Sequence, residues 1–171
     1  MKLKLNIGCG TDYRENYVNI DGSNTLHRVD KVIDIGKESL LEYFEPNSIE
    51  FILANDIVEH LFHWEAIELM KEFHKMLIPS GIAEIRVPDT ARIMNSWFLP
   101  IKTKITMMYG GQDIAQGNDP EMDASRQKNP QYFCHKYGWT RRSMKDALLA
   151  VGFSKVTCKH AGPNFIARAE K

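Results

Sequence analysis

Short apolar runs recur along this chain at lengths that suit strands, and each ends in residues that turn the backbone. Leu3–Ile7 breaks into Gly8-Cys9-Gly10, and Ile49–Asn55 is apolar on both faces, the pattern of a central strand in a parallel sheet. Val18–Asp21 and Lys31–Gly36 are two further short strands, each with an acid at or near its end. The period then changes. Phe62, Ala66, Leu69, Phe73 and Leu77 recur at three- and four-residue intervals, which predicts a helix from Val58 to Leu77 packed on a sheet. Asp56-Ile57-Val58-Glu59 reads as its capping box, with Asp56 accepting from first-turn amides and Glu59 folding back onto the cap. Pro79-Ser80-Gly81 ends that helix, and Ile82–Val87 is a fifth strand closed by Pro88-Asp89. Near the end, Thr140 caps a short helix running through Leu149, with Gly152 just past it, and Phe153–Lys159 and Phe165–Ala169 are the last strands.

Strands alternating with helices or loops predict an α/β fold around a mostly parallel sheet. Ala91–Phe98 and Thr103–Tyr109 read as short helices, but glycines and prolines break the rest of 90–138 into loop. An irregular insertion of that length inside a compact domain suggests a cap over a ligand, and residues 103–137 are taken as that cap within a single domain of 171 residues. Tyr109, Tyr132, Phe133 and Tyr137 give it aromatic surface.

The chemistry starts where the first strand empties into glycines. Gly8 and Gly10 let a bound molecule approach the backbone and meet its N–H groups, and a carboxylate at a strand tip, Asp21, suits the two hydroxyls of a ribose. On the residues alone, a tight turn and a local cap explain the same pattern. Composition excludes other classes. Lys and Arg total 22 and so do Asp and Glu, a balance that points to neither nucleic acid nor an anionic membrane. No apolar run approaches the ~20 residues of a membrane span, nor is there an N-terminal apolar stretch of signal-peptide length, so the expected compartment is the cytoplasm. Cys9, Cys134 and Cys158 are widely spaced and read as reduced thiols. No HExxH arrangement is present and no metal is expected.

These segments together resemble the class I S-adenosylmethionine-dependent methyltransferases, and within them a compact bacterial and phage-type branch associated with sugar, cell-envelope or polysaccharide modification. LNIGCG is similar to the glycine motif, NID to the acidic second motif, VIDIG to the adenine-side motif and FILANDIVEHL to the fourth motif. MLIPSGIAEIRVPD and YGWTRRSMKDALLAVGFSKV match the segments around the fifth and sixth strands. The resemblance implies a Rossmann-like, doubly wound, mostly parallel seven-stranded sheet, with helices on both faces and the last strand antiparallel. It implies S-adenosylmethionine as cofactor, with Gly8 and Gly10 along its methionine part, Asp21 on the ribose, Asp34 and Ile35 flanking the adenine, and Asn55 near the sulfonium and the acceptor. Asn6 stands where the family carries an acid, and is expected to reach the cofactor's amino group without charge. The third glycine of the motif is missing, the segment from Gly10 to Val18 is short for a full helix, and Ser80 replaces a turn glycine.

The sulfonium is an activated methyl donor, so alignment and exclusion of water supply much of the rate, and a base is required only where the acceptor must lose a proton. Asp56, Glu59, His60, Asp89, His135 and Tyr137 are the candidates facing the site. His135, in the cap, is the expected base, while Glu59 is assigned to the helix cap and His60, His63 and His74 to surface or packing. The expected reaction is methylation of a small-molecule or sugar/glycan acceptor. Two rivals are a cofactor-binding protein without activity and a nicotinamide-dependent oxidoreductase.

Overall fold

The computed structural model describes residues 3–113, 117 and 119–171. Seven strands form one sheet: β1 (Leu3–Ile7), β2 (Val18–Asp21), β3 (Lys31–Val32), β4 (Ile49–Asn55), β5 (Leu77–Pro88), β6 (Lys155–Ala161) and β7 (Asn164–Glu170). Their order is β3-β2-β1-β4-β5-β7-β6, with β7 antiparallel to both neighbours and the other pairs parallel. This is the expected seven-stranded, mostly parallel Rossmann-like sheet with its last strand reversed and helices around it. The order turns outward in both directions from β1 and β4, so the carboxyl ends of these two strands flank a switch-point crevice.

The side chains of each strand segregate by face. In register, Leu5, Ile52, Ala83, Ala169 and Val156 form one row, and Ile7, Ala54, Ile85, Ala167 and Cys158 the next. On this face α1 (His63–Met76) contributes Ala66, Leu69, Met70, Phe73 and Met76 to one buried cluster, and α5 (Arg141–Ala150) contributes Met144 and Leu148. The opposite face carries Lys4, Phe51, Ile82, Glu170 and Lys155, then Asn6, Leu53, Glu84, Arg168 and Thr157. Arg168 pairs there with Glu84 at 3.4 Å, and Tyr17 lies edge-on to Phe51.

Several boundaries differ from the sequence reading, each for a local reason. β3 spans two residues rather than six, because the Asp34 carbonyl accepts from Lys37 and Glu38 N–H and turns the chain out of the sheet. The long helix starts at His63 instead of Val58. Asp56 takes a left-handed φ of 52° in place of the extended backbone of an N-cap, Val58–His60 form a 3-10 turn, and the acid that folds back on the helix start is Glu65, on Phe62 N–H at 2.8 Å. α1 runs directly into β5, where Ile78–Gly81 bulge out between Leu77, paired with Ile49, and Ile82, paired with Phe51. The insertion holds α2 (Thr90–Asn95), α3 (Ile101–Tyr109) and α4 (Pro120–Lys128), then a 3-10 turn over Pro130–Phe133. α4 stands where the sequence predicts loop, started by Asp119, whose side chain accepts from Glu121 and Met122 N–H. The part of the expected cap at 114–116 and 118 lies outside the described residues. Among the described residues no helix is long and apolar enough to cross a membrane.

Candidate active site

A cavity of about 320 Å³ opens at the carboxyl ends of β1, β2 and β4. Its floor includes Gly8, Gly10, Asp21, Asp34 and Ile35, and His135 stands in its wall, so six of the residues singled out from the sequence come together. The volume is at the lower end of the range for small-molecule sites.

Gly8 and Gly10 both take a left-handed φ, 65° and 52°, which lets the chain reverse directly off β1. A Cβ on Gly8 would lie 2.6 Å from Cγ1 of Ile57, so Gly8 is required by the packing of the β4 loop against the glycine turn as well as by any ligand. Gly10 N–H donates to Asp21 Oδ2 and Ser23 N–H to Asp21 Oδ1, both at 2.9 Å. One carboxylate thus ties the glycine turn to the end of β2 and keeps acceptor capacity for a ligand. Burial pushes the Asp21 carboxyl up, and the N–H donors of Ser23, Gly10 and Gly22 oppose that rise.

Asp34 is held from the cap side. Its Oδ2 accepts from Tyr132 O–H at 2.5 Å and from Lys37 Nζ at 2.7 Å, and its Oδ1 from Gly36 N–H at 3.1 Å. Burial alone would raise the Asp34 carboxyl, but the hydrogen bonds from Lys37, Tyr132 and Gly36 outweigh it and bring the group below its ordinary value. Two more ties join α4 to the loop after β2. Lys128 Nζ reaches Asn24 Oδ1 at 2.6 Å, and Glu121 accepts from His27 N–H and pairs with its ring at 2.8 Å. Met122, Ser125 and Arg126 of α4, with Tyr132 and Phe133, form the cavity's outer wall.

Asn6 and Asn55 do not line this cavity. Asn6 is buried, and its Nδ2 donates to the Asp12 carbonyl at 2.8 Å and to Asn19 Oδ1 at 3.0 Å, so its amide is committed to the β1–β2 turn. Asn55 ends β4 in register with Arg86, and the β4 side of the cavity is lined by the residues that follow it, Asp56 and Ile57. Among the other candidates, Asp89 caps α2 and lies 3.4 Å from Arg141 Nε, and Tyr137 packs against His63 and Trp139. Asp56 does border the cavity, with its carboxylate engaged by Arg86 and by Asn164 Nδ2 at 2.9 Å. His63 and His74 are packing residues, His74 edge-on to Phe153.

Glu59 is not the helix-cap acid, and His60, one of the candidates facing the site, does reach it. His60 lines the cavity, its ring 4.8 Å from that of His135 and its Nδ1 3.2 Å from the Cys134 carbonyl. Burial holds the His60 imidazole down to about 4, helped by His135, and burial also lowers His135, whose Nδ1 is 3.1 Å from the Met107 carbonyl. Glu59 is 2% exposed and neither carboxylate oxygen has a hydrogen-bond partner among the described residues. Burial pushes it up to about 8, with the Asp56 charge adding to the rise. With the helix start displaced, Glu59 turns inward beside His60, and the cap brings in His135.

No model of a known protein family matches the chain, and no curated protein sequence does. Its fold, however, has many solved counterparts. An S-adenosylmethionine-dependent methyltransferase from Archaeoglobus fulgidus superposes with a TM-score of 0.64 at 15% identity, over 99% of this chain and 86% of its own. One from Mesorhizobium loti gives 0.61 at 12% identity, over 99% and 90%. Phosphoethanolamine N-methyltransferase 2 of Haemonchus contortus, solved in complex with S-adenosyl-L-methionine, gives 0.58 at 13%, with this chain spanning 49% of its length. The chain therefore shares the Rossmann-like fold of these methyltransferases.

Proposed function

We propose that the protein is an S-adenosylmethionine-dependent methyltransferase acting on a small-molecule or sugar/glycan acceptor. The observation that carries this reading is the switch-point cavity itself, in which a glycine turn, the Asp21 carboxylate and Asp34 with Ile35 stand along one floor. That sequence of groups fits a methionine chain, a ribose and an adenine in turn. The cofactor supplies an activated methyl group, and the residues of this chain bind it, orient the acceptor and keep water out. His135 would accept the acceptor's proton, since its Nδ1 is occupied by a carbonyl and its Nε2 remains an acceptor. A nicotinamide oxidoreductase is disfavoured by β7, which inserts antiparallel between β5 and β6 where a dinucleotide fold continues in parallel order.

In this reading residues 103–137 act as a lid. Its ties to Asp34, Asn24 and His27 hold α4 and the Pro130–Phe133 turn beside the cavity, from which they would close further over a bound ligand. The compartment we favour is the cytoplasm, where three unpaired thiols persist. Calorimetry with S-adenosylhomocysteine and NAD, followed by turnover on a panel of hydroxylated and amine acceptors, tests the reading. S-adenosylhomocysteine should bind, NAD should not, and amide exchange in the lid should slow on binding while α1 is unaffected. Binding without turnover on any acceptor favours the non-catalytic alternative, and NAD binding in its place overturns the proposal.

A further inference from the structure

Glu59, His60 and His135 each bring one potential ligand atom to within 4.8 Å of the others. His60 Nδ1 faces the Cys134 carbonyl and His135 Nδ1 faces the Met107 carbonyl. A carbonyl only accepts, so each Nδ1 carries the ring proton and each Nε2 is left with a bare lone pair. Histidines that ligate a metal are held in just this way, the outer nitrogen donating to a backbone carbonyl and fixing tautomer and ring plane. The third member is a carboxylate that is 2% exposed with both oxygens unpartnered among the described residues. The adjacent cation, Arg86, is engaged by Asp56. Three acceptors thus converge around a buried carboxylate, with the two imidazoles half-buried beside it, an arrangement that calls for a proton or a cation.

We propose that Glu59, His60 and His135 form a binding site for a divalent first-row transition cation of the zinc, manganese or iron(II) kind. Two imidazoles and one carboxylate suit those ions, whereas magnesium and calcium select all-oxygen sets. Three protein ligands leave coordination positions open. His60 and His135 border the cofactor cavity, and Glu59 and His135 border a second cavity of about 220 Å³ with Asp56, Pro88 and Asn164. The cation would stand between the two, where an acceptor oxygen could complete its coordination and lose its proton more readily. That last role rests on the methyl-transfer reading and replaces His135 as base; cation binding itself does not depend on it.

The test uses the full chain freed of metal by a chelator and titrated with Co²⁺, followed by its visible absorption and by displacement with Zn²⁺. The expected result is one saturable equivalent in the wild type. His60→Ala, His135→Ala and Glu59→Gln, each checked for native circular dichroism, should weaken it by more than about tenfold. Glu59→Gln is nearly isosteric and removes a buried charge, so it keeps the test open if an alanine variant fails to fold. Absence of saturable binding in the wild type overturns the site in favour of a proton shared by Glu59 and a histidine. Equal binding by all variants overturns it in favour of a surface pair such as His27 and Glu121. S-adenosylhomocysteine titrated into the metal-free protein reports on the methyl-transfer reading separately, so either proposal can fail while the other stands.

Discussion

Asp21→Ala tests the geometry of the glycine turn and the cofactor assignment in one variant. The carboxylate accepts two backbone N–H groups at 2.9 Å, one from Gly10 and one from Ser23. Ser23 is 1% exposed, so its N–H would be orphaned in the variant, while the half-buried Gly10 can recover a water. Hydrogen bonds to a charged partner contribute about 1.5–3 kcal/mol each, and allowing for partial rescue at Gly10 the expected loss of folding stability is about 3 kcal/mol. For a chain of this size that lowers Tm by roughly 6–12 °C. If Asp21 also holds a ribose, S-adenosylhomocysteine affinity should fall by a further factor of roughly 10 to 150, the equivalent of about 1.5–3 kcal/mol. Differential scanning calorimetry gives the first quantity and titration calorimetry at a temperature well below the variant's Tm gives the second. A stability loss with unchanged affinity would reduce Asp21 to scaffolding of the turn. If Tm and affinity both stay at wild-type values, the reasoning about this carboxylate is refuted.

Gly8→Ala should cost about 2–4 kcal/mol, because a left-handed φ is joined by a 2.6 Å approach to Ile57, whereas Gly10→Ala, whose nearest neighbour is Met122 Sδ at 3.8 Å, should cost about 1–2. Urea denaturation of the pair checks this, and equal costs would show that Ile57 yields. Tyr132→Phe should speed amide exchange across Pro120–Phe133 by removing the bond to Asp34. Because Asp34 titrates below its ordinary value in the folded chain, its stabilising contribution is present above that ordinary value and is lost as pH falls through the lower one. Lid protection in the wild type should therefore fall on acidification, and it should do so less steeply in Tyr132→Phe; identical acid profiles would contradict the tie. Ser80→Gly should raise Tm by no more than about 2 °C, since Ser80 sits at φ 62° in the β5 bulge and the roughly 1 kcal/mol of strain that glycine relieves is offset by about 0.4–1 kcal/mol of its own entropy cost. A lower Tm would mean that the serine side chain stabilises the bulge.

What the sequence made legible was mostly what strand periodicity and glycine chemistry control. Leu3–Ile7, Val18–Asp21 and Ile49–Asn55 form with the bounds read from their apolar runs, and the residues that follow them or stand at their tips meet at the cavity. The errors arise where a local pattern has two physical outcomes. Asp56 to Glu59 has the composition of a capping box, but Asp56 is drawn by Arg86 and Asn164, and only long-range partners decide that. The helix Pro120–Lys128 buries little besides Ser125, so it has no apolar stripe to read. Its signal lay in the cap instead: Asp119 accepts from Glu121 and Met122 N–H ahead of a proline in the first turn. His135 and His60 could not be joined from spacing, because the insertion between them carries its own helices and folds back on itself at a bridge between Gly110 and Cys134.

The departure at Asn6 follows from the missing helix between β1 and β2. With no helix over residues 8–17, the backbone groups of that turn need other partners. Asn19 supplies them: its Oδ1 accepts from Arg14 N–H at 2.9 Å and from Asn6 Nδ2, and its Nδ2 donates to the Arg14 and Tyr17 carbonyls and to Asp30. Asn6 closes the same network onto the Asp12 carbonyl. A carboxylate at position 6 could accept but could not donate to Asp12 and Asn19, so an amide is what this short turn demands. If the cavity takes the cofactor proposed above, position 6 offers no acid to its ammonium, and Arg126, Tyr132 and Phe133 of the insertion line the same cavity. On the methyl-transfer reading proposed above, a chain that shortens its first crossover in this way leaves ligand enclosure to the insertion, so loss of the ties at Asp34, Asn24 and His27 should weaken S-adenosylhomocysteine binding, and unchanged affinity in titration calorimetry would contradict that.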